Sequence, residues 1–393
     1  MIRRQDGFTL VELIITMAVF VVVIAMASQM FAGLLNQFKQ QSKIAETNIE
    51  GVIGLQLLRA DLEQAGYGLP YDIPGVSYLE ADNSVATVTA HNEAAYNDAP
   101  TTVPRAFVLG DGAGVNLGGL ASASDVLVIK ATNLGTNDAA HKWGYASNTG
   151  ALPNTIQTWK DTGGNAIDDE NFRDDDRVIV LAPTSTTTQR VLLTSGGAFF
   201  TKVDVPSTTT ATPPQAFSVP AGFQPVEDSF DTYLVYGVDS DTNLRFPFNR
   251  ADYYVRRPTT ANAMPSRCAT NTGILYKGTI NQSNGGVNEL PILDCVLDLQ
   301  TVLVLDTNAD GIPDSFQTTA FGGNAENIRQ QLKEIRVYIL AHEGQRDTSY
   351  TSPATITASD PDVGNVISYT PTGDFLNFRW RTYTLVVKPY NLR

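Results

Sequence analysis

The feature that most constrains this fold is a long, uncharged, apolar stretch near the N-terminus. No charged residue occurs between Glu12 and Lys39, and residues 8–35 are predominantly apolar. A helix of about 20 such residues crosses the hydrocarbon core of a bilayer. The stretch is longer than the apolar core of a removable secretory signal, which covers about 7–15 residues and ends at small residues. We therefore expect a permanent single membrane span over 8–35.

The helix that crosses the membrane is expected to continue beyond it. No proline precedes Pro70, so a helix can run from about residue 8 to residue 66, where glycines and then Pro70 end it. Two apolar stripes with spacings of three and four predict that its second half lies against a folded domain. The stripes are Ile49, Val52, Ile53, Leu57 and Ala60, and Leu55, Leu58 and Leu62. Three glycines are expected to weaken the helix: Gly33, Gly51 and Gly54.

Residues 7–12 read Gly-Phe-Thr-Leu-Val-Glu and resemble the processing site of type IV prepilins. In that superfamily a dedicated peptidase cuts after the glycine and methylates the new N-terminal residue. The resemblance implies that residues 1–7 are a leader, that cleavage follows Gly7, and that the mature chain begins with N-methylphenylalanine at Phe8.

Glu12 makes this resemblance specific. A carboxylate near the start of a membrane helix costs a few kcal/mol on insertion scales unless a partner compensates it. Counted from Phe8, Glu12 is the fifth residue. In pilins, a glutamate at this position is thought to meet the N-terminal amine of a neighbouring subunit, which implies a role for Glu12 in assembly. The alternative is an interfacial glutamate that extends to the headgroups.

The pattern changes at about residue 69, where short β-branched or aromatic runs alternate with turn-forming clusters. This pattern predicts an antiparallel β-rich domain. Hydrophobic residues make up 42% of the chain, enough for a core, which excludes general disorder. The predicted fold class is therefore α+β, with a long N-terminal helix packed on a large exported β-rich domain over 69–393. A subdivision of that domain near 206–225 is an open alternative.

The β-rich part can be divided into predicted strands and loops. The clearest candidate strands are 106–109, 126–129, 177–181, 233–238, 253–256, 274–276, 296–305, 335–340 and 379–387. A short helix is predicted over 325–333. Long stretches of low hydrophobicity are predicted to be surface loops or insertions at 132–176, 206–228 and 343–364.

Several segments besides the processing site are similar to the minor pilins of the PilW family of type IV pilus assembly. These segments are Arg59 to Tyr67, Asp252 to Arg256, Gly273 to Lys277, and Asn391 with Leu392. The resemblance implies a non-enzymatic minor subunit that takes part in pilus assembly or priming, with prepilin peptidase and other major and minor pilins as partners. It implies a single-pass inner-membrane precursor with a periplasmic domain, which then enters the pilus at the cell surface.

Copy number and function class are less constrained. The chain is longer than a major pilin needs, which favours low copy number at the filament tip. A pseudopilin of a type II secretion system shares the N-terminal chemistry, and a filament-borne adhesin would share the architecture, so both alternatives stay open. Residues 100–225 match no family pattern, and their role is open as well.

Residues 306–314 resemble an EF-hand-like calcium loop, with oxygen side chains at loop positions one, three, five and nine and glycine at six. The predicted Ca²⁺ ligands are Asp306, Asn308, Asp310, Asp314 and the main-chain carbonyl of Ile312. Position twelve is Gln317 instead of the usual bidentate glutamate. An Asx-rich turn without a metal is therefore the alternative.

The two cysteines, Cys268 and Cys295, both lie in the exported domain. An even pair in such a domain predicts a disulfide, and two buried free thiols are the alternative.

Charge and motif content bear on the remaining function classes. The formal net charge is -14, so the surface field repels nucleic acid on average, and no nucleic-acid partner is expected. The three histidines, His91, His141 and His342, show no metal-ligand or triad spacing. No nucleophile elbow or phosphate loop occurs in the sequence, so no enzymatic activity is predicted.

Overall fold

In a computed structural model, the described residues are 9–85, 92–117, 120, 123–147, 155–183, 190–206, 215–218, 222–225, 232–259 and 263–392. The helices are α1 (Leu10–Glu63) and α2 (Ala325–Gln331), with short 3-10 segments at Glu93–Tyr96, Thr132–Leu134, Ala139–His141 and Gly373–Asn377. The strands are β1 (Phe107–Gly110), β2 (Val126–Ala131), β3 (Trp143–Ser147), β4 (Thr155–Ile156), β5 (Arg177–Pro183), β6 (Arg190–Leu192), β7 (Thr201–Asp204), β8 (Gln215–Phe217), β9 (Thr232–Asp239), β10 (Asn249–Arg256), β11 (Gly273–Ile280), β12 (Val287–Leu305), β13 (Ser315–Gln317), β14 (Leu332–Glu343), β15 (Ile356–Asp360), β16 (Gly364–Tyr369) and β17 (Arg379–Val387). The predicted α+β class is confirmed.

Helix α1 is one unbroken element, as predicted. Its segment Leu10–Leu35 has a mean hydropathy of 2.8, and the apolar window within it is 0% buried by the rest of the chain. Among the described residues, this is the one helix long and apolar enough to cross a membrane. The predicted leader and cleavage site, including Gly7 and Phe8, lie outside the described residues.

Only one of the two predicted apolar stripes of α1 packs on the domain. Leu55, Leu58 and Leu62 are buried, whereas Val52 and Ile53 are exposed. The prediction that this half of the helix lies against a folded domain is confirmed, through the stripe of Leu55, Leu58 and Leu62. A helix on the surface of a domain buries one stripe and leaves the opposite face for solvent or for another molecule.

Two of the three helix glycines permit close packing. A Cβ atom added at Gly54 would lie 2.1 Å from the carbonyl oxygen of Ile292, and one at Gly51 would lie 3.2 Å from Leu293 Cδ1. A Cβ at Gly33 would have no atom within 4 Å. Glycine at Gly51 and Gly54 thus lets the helix backbone approach β12, and the expectation that the glycines weaken the helix stays a prediction.

The first sheet, called the main sheet, has eight antiparallel strands among the described residues. Their order is β1-β2-β10-β11-β12-β14-β17, and β13 pairs with β12 beside this path. The C-terminal part of α1 covers one face, where the largest hydrophobic core lies. The hairpin of β15 and β16 packs on the other face through Ala358, Ile367 and Tyr369, which contact Tyr338 and Trp380.

The second sheet contains β3 to β9 and is called the inserted barrel, because it lies in sequence between β2 and β10. Its order is β6-β5-β7-β8-β4-β3-β9, and β5 also pairs with β9. This extra pairing closes the sheet on itself. Val178 and Val180 of β5 point into the barrel core, while Ile179 and Leu181 join the core under α1. The alternation of side chains along β5 thus lets one strand serve two cores.

All nine predicted strands and the short predicted helix are present, with β17 beginning and ending where it was predicted. The predicted loop 132–176 is wrong in part, because it contains β3 and β4. In β3 the inward residues are Gly144 and Ala146, which are too small to give an apolar signal. The predicted loops 206–228 and 343–364 likewise contain β8 and β15.

The chain passes from the main sheet to the inserted barrel between residues 131 and 143, and returns between 239 and 249. Residues 206–225 lie within the barrel segment. The subdivision near that point stays a prediction.

The predicted disulfide is confirmed. Cys268 and Cys295 are bonded, with their Cα atoms 4.9 Å apart. Cys295 is in β12, so the bond ties the segment before β11 to the centre of the main sheet.

Candidate functional site

The N-terminal half of α1 exposes a row of large apolar side chains. Phe20, Met30 and Phe31 are each more than 60% exposed, at 69%, 72% and 63%. An apolar surface of this length is not stable in water, so it needs lipid or other apolar helices around it. This half of the helix is therefore built for contacts outside its own chain.

Glu12 lies in the first turn of this exposed helix and has a partner within the chain. Its Oε2 atom accepts hydrogen bonds from the Thr9 main-chain N–H at 3.1 Å and from the Thr9 hydroxyl at 3.0 Å. The Thr9 hydroxyl oxygen in turn accepts from the Glu12 N–H, which completes a capping box. The spacing Thr-x-x-Glu is visible in the sequence, but the sequence reasoning missed this role. The predicted contact of Glu12 with a neighbouring subunit stays a prediction.

The other end of α1 is held by a buried charge. Asp61 is 7% exposed, and its Oδ2 atom lies 2.6 Å from Lys277 Nζ. The same oxygen accepts a hydrogen bond from the Tyr253 hydroxyl at 2.7 Å. A buried carboxylate is stable only when it is paired and hydrogen-bonded, so Asp61 fixes the helix to β10 and β11. Asp61, Tyr253 and Lys277 are called the helix anchor below.

The C-terminal residues reinforce the helix anchor. The Tyr390 N–H donates to the Glu63 carbonyl at 2.9 Å, and the Asn391 side-chain amide donates to the Gln64 carbonyl at 3.3 Å. These bonds satisfy carbonyls that the end of a helix leaves without an intrahelical partner. Apart from the processing site, the segments that carried the sequence resemblance therefore meet around the end of α1, although they are far apart in the chain.

The sequence reasoning missed a network of buried charges beside the helix anchor. Lys130 Nζ lies 2.7 Å from Glu80 Oε2 and 2.6 Å from Asp98 Oδ2, and the side chains of Lys130 and Glu80 are fully buried. Arg250 Nη1 lies 3.2 Å from the same Glu80 oxygen, and Arg250 Nε lies 2.8 Å from Asp252 Oδ1. Glu80, Asp98, Lys130 and Arg250 come from distant segments, so no local spacing could have revealed their contacts.

The charge network has a structural role. Burial opposes ionisation of Asp98, but the positive charges of Lys130 and Arg105 outweigh that effect and leave the Asp98 pKa below its usual value. Glu80 also accepts hydrogen bonds from the main-chain N–H groups of Asp98 and Ala99 at 2.6 and 3.0 Å. The network thus fixes the segment that follows α1 onto β2 and β10, the strands next to the helix anchor.

The segment predicted to bind Ca²⁺ forms a loop closed by its own hydrogen bonds. Asp306 accepts from the N–H groups of Asp310 and Gly311 at 3.2 and 2.9 Å, and its Oδ2 atom lies 3.6 Å from Lys333 Nζ. Asp314 accepts instead from the Thr307 N–H at 2.9 Å.

The predicted ligands do not converge in this structure. Asn308 Oδ1 accepts from the Asp310 N–H, and Asp310 Oδ1 accepts from the Ile312 N–H. Within the described ranges, no three or more His, Cys, Asp or Glu side chains are grouped to hold a metal. The residues as placed do not form a calcium shell, and the Ca²⁺ site stays a prediction.

Two of the three histidines fall among the described residues. His342 is fully buried, where its Nε2 atom accepts from the Ala269 N–H at 2.9 Å and its ring packs on Phe378. Burial lowers the pKa of His342 to about 4, so it is neutral at pH 7. His141 is exposed, and His91 lies outside the described residues.

Comparison with known proteins gives two family matches. Residues 2–28 match the prokaryotic N-terminal methylation motif, and residues 252–391 match the type IV pilus-assembly protein W family. The chain thus combines a type IV prepilin motif with a PilW-family domain. These matches imply, in general terms, processing by a prepilin peptidase, membrane anchoring through the N-terminal helix, and other pilins as partners.

The PilW match covers most of β10 and all of β11 to β17, which includes Tyr253 and Lys277 of the helix anchor. The inserted barrel lies outside both matched ranges. Among solved structures, a type IV-like pilin from Thermus thermophilus is similar at 13% identity, over 56% of this chain and 87% of that one. The TM-score of 0.21 is too low to establish a shared fold. No curated protein matches the chain.

Proposed function

We propose that this protein is a minor subunit of a type IV pilus, that it takes part in assembly or priming, and that it lies at the filament tip. The observation that carries the proposal is the division of α1 into two halves. Leu10–Leu35 makes no buried contact with its own chain, whereas Leu58 and Leu62 are completely buried. Such a helix can join a bundle of other helices while its own domain stays outside the bundle.

The rigid attachment of α1 supports a role in assembly. The position of α1 in a filament fixes the position of the domain only if the helix and the domain move as one body. The helix anchor, with its buried ion pair, holds them together. We expect the precursor to span the inner membrane once, with its domain in the periplasm, before it enters the pilus.

The size and place of the inserted barrel support the tip position. The Tyr67 ring, just beyond the end of α1, contacts Tyr236 of β9 at 5.3 Å between ring centroids. The barrel is therefore beside the membrane-distal end of α1. A subunit of low copy number at the tip can carry this additional bulk without meeting the domain of a subunit above it.

Gene deletion and complementation test the proposal. Cells that lack this chain should have few surface pili, and expression of the wild-type chain should restore them. Glu12→Ala should insert into the membrane but restore pili poorly, because the carboxylate is predicted to contact a neighbouring subunit. Glu326→Ala is the matched control, since it removes a carboxylate from a short helix of the exported domain and should restore pili fully.

Three results would contradict parts of the proposal. Normal pili in the deletion strain together with lost secretion of exported enzymes would support a pseudopilin of a type II secretion system. Full restoration by Glu12→Ala would remove the predicted subunit contact. Immunogold labelling along the whole filament, instead of at its end, would contradict the tip position.

A further inference from the structure

The inserted barrel presents a cluster of aromatic side chains on its outer surface. Trp143 and Tyr145 of β3 both contact Trp159, with ring centroids 5.1 and 6.0 Å apart. Trp143 is 41% exposed, and the other two rings are half-buried. Two of the three tryptophans of the chain are thus at one place on the surface. Trp143, Tyr145 and Trp159 are called the aromatic platform.

The aromatic platform is not needed to fill the barrel core. Along β3, Gly144 and Ala146 face inward and are buried, so the large rings occupy the outward positions. Large aromatic side chains are usually buried because they remove much apolar area from water. Their outward placement here therefore needs an explanation other than folding of the barrel.

Hydrogen bonds hold Trp159, the central ring of the platform, in one orientation. The Trp159 indole N–H donates to the Trp143 carbonyl at 2.9 Å. The Trp159 main-chain N–H donates to Asn171 Oδ1 at 2.7 Å, and the Asn171 side-chain amide donates to the Trp159 carbonyl at 2.8 Å. The indole N–H of Trp159 is therefore already hydrogen-bonded within the chain. A ligand therefore meets a fixed aromatic surface and loses little free energy in ordering it.

A lipid bilayer does not fit the position of the platform. The 28 residues from 36 to 63 separate the apolar segment from the end of α1, which is about 42 Å at 1.5 Å per residue. Tyr67 follows that end and contacts Tyr236, which is the cross-strand partner of Trp143. The platform is therefore near the end of the helix farthest from the membrane.

The aromatic platform suits nucleic acid or a protein partner less well than it suits a small ring-shaped ligand. The net charge of -14 disfavours a polyanion. The three rings expose on the order of 200 Å², whereas a stable protein interface buries about 800 Å² on each partner. The side chains of Gln157 and Lys160 are exposed, lie within two residues of Trp159 in sequence and carry hydrogen-bonding groups; they are called the border side chains.

We propose that the aromatic platform binds a neutral glycan, with a pyranose ring stacked on the exposed Trp143 indole and bordered by the Trp159 indole, whose plane is tilted by 59°. The C–H bonds on one face of a pyranose carry small positive charges, which the negative face of an aromatic ring attracts. The sugar hydroxyls at the edge of the ring would then meet the border side chains. This site is independent of the proposed role in pilus assembly.

Purified full-length protein in detergent micelles can be tested on an array of neutral, sulfated and sialylated oligosaccharides. We expect binding to neutral members and none to anionic ones. Trp143→Ala should weaken binding about tenfold, in line with the loss of one stacked ring. Trp143→Tyr should retain most of the binding because it keeps an aromatic face. Tyr390→Ala is the matched control, since it removes a ring that is 70% exposed at the chain end.

Thermal unfolding of each variant separates binding from folding. Trp143→Ala should melt within about 2 °C of the wild type, because the lost side chain lies outside the barrel core and is 41% exposed. The proposal is overturned if the wild type binds no neutral glycan, or if Trp143→Ala binds as well as the wild type. It is also overturned if the substitution removes self-association or binding to neutral lipid vesicles instead, since either result identifies a different partner.

Discussion

Replacement of glycines in α1 tests how closely the helix must approach the main sheet. In an exposed helix, Gly→Ala stabilises by about 1 kcal/mol, because alanine loses less backbone entropy on folding. At Gly54 the added Cβ would lie 2.1 Å from the Ile292 carbonyl oxygen. A main-chain atom cannot rotate away, so the helix must move by roughly 1 Å, which loosens the packing of Leu58.

The expected change in the free energy of unfolding for Gly54→Ala is the difference between these two opposing effects. Overpacking at a rigid site costs about 1–3 kcal/mol, and the upper end applies because the obstacle is backbone. After subtraction of the propensity gain, Gly54→Ala should destabilise the protein by about 2 kcal/mol. For a chain of 393 residues the unfolding entropy is about 0.8 kcal/mol/K, so we expect Tm to fall by about 2–3 °C.

Thermal unfolding of the full-length protein in detergent, followed by circular dichroism, measures the effect. Gly33→Ala is the matched control, because its Cβ would meet no atom within 4 Å, and it should not lower Tm. Gly51→Ala should have a smaller effect than Gly54→Ala, since the nearest atom, Leu293 Cδ1 at 3.2 Å, is the end of a flexible side chain. A Gly54→Ala protein at least as stable as the wild type would refute the reasoning.

Four further predictions follow from the sequence and the structure. Gly7→Ala should block leader removal, so mass spectrometry should find no N-methylated Phe8, and a mature chain that begins beyond Glu12 would contradict the processing site. Asp61→Ala leaves the buried ammonium of its partner unpaired and should lower the free energy of unfolding by about 3–5 kcal/mol in denaturant titrations. Burial raises the pKa of Asp125 to about 7, so the folded protein favours the protonated carboxyl. The free energy of unfolding should therefore fall by up to about 4 kcal/mol as pH rises from about 4 to 7. Asp125→Asn should flatten this pH dependence in denaturant titrations. Millimolar calcium should raise Tm in the wild type but not in Asp306→Ala, and equal Tm values in calcium and in chelator would show that the loop is only a turn.

The sequence was most informative about elements with a strong local pattern. The uninterrupted apolar stretch and the absence of proline were enough to predict α1, and the alternation in Arg379 to Val387 was enough to predict β17. The disulfide followed from the number of cysteines alone. In each case the physical cause, burial in lipid or burial on one face of a sheet, leaves a periodic or compositional trace over neighbouring residues.

The arrangement of the helix anchor could not be predicted in the same way. Asp61, Tyr253 and Lys277 belong to three elements, and nothing local shows that their side chains share one buried point. The buried ion pair of Lys130 and Glu80 likewise leaves no local pattern in the sequence. Short barrel strands such as β3 were missed because their inward residues are small and their large residues face outward, the reverse of the usual pattern.

The way in which the barrel is inserted has a consequence for how this protein can diversify. The chain leaves the main sheet after Ala131 and returns at Asn249, and these two residues are cross-strand partners. Partner Cα atoms in antiparallel strands are about 4.5–5.5 Å apart, a gap that a short turn can bridge. The whole segment therefore behaves as a cassette with adjacent ends. Natural variation can lengthen, replace or remodel it while β2 and β10 keep their register and the helix keeps its attachment, provided that the face formed by Ile179 and Leu181 stays apolar.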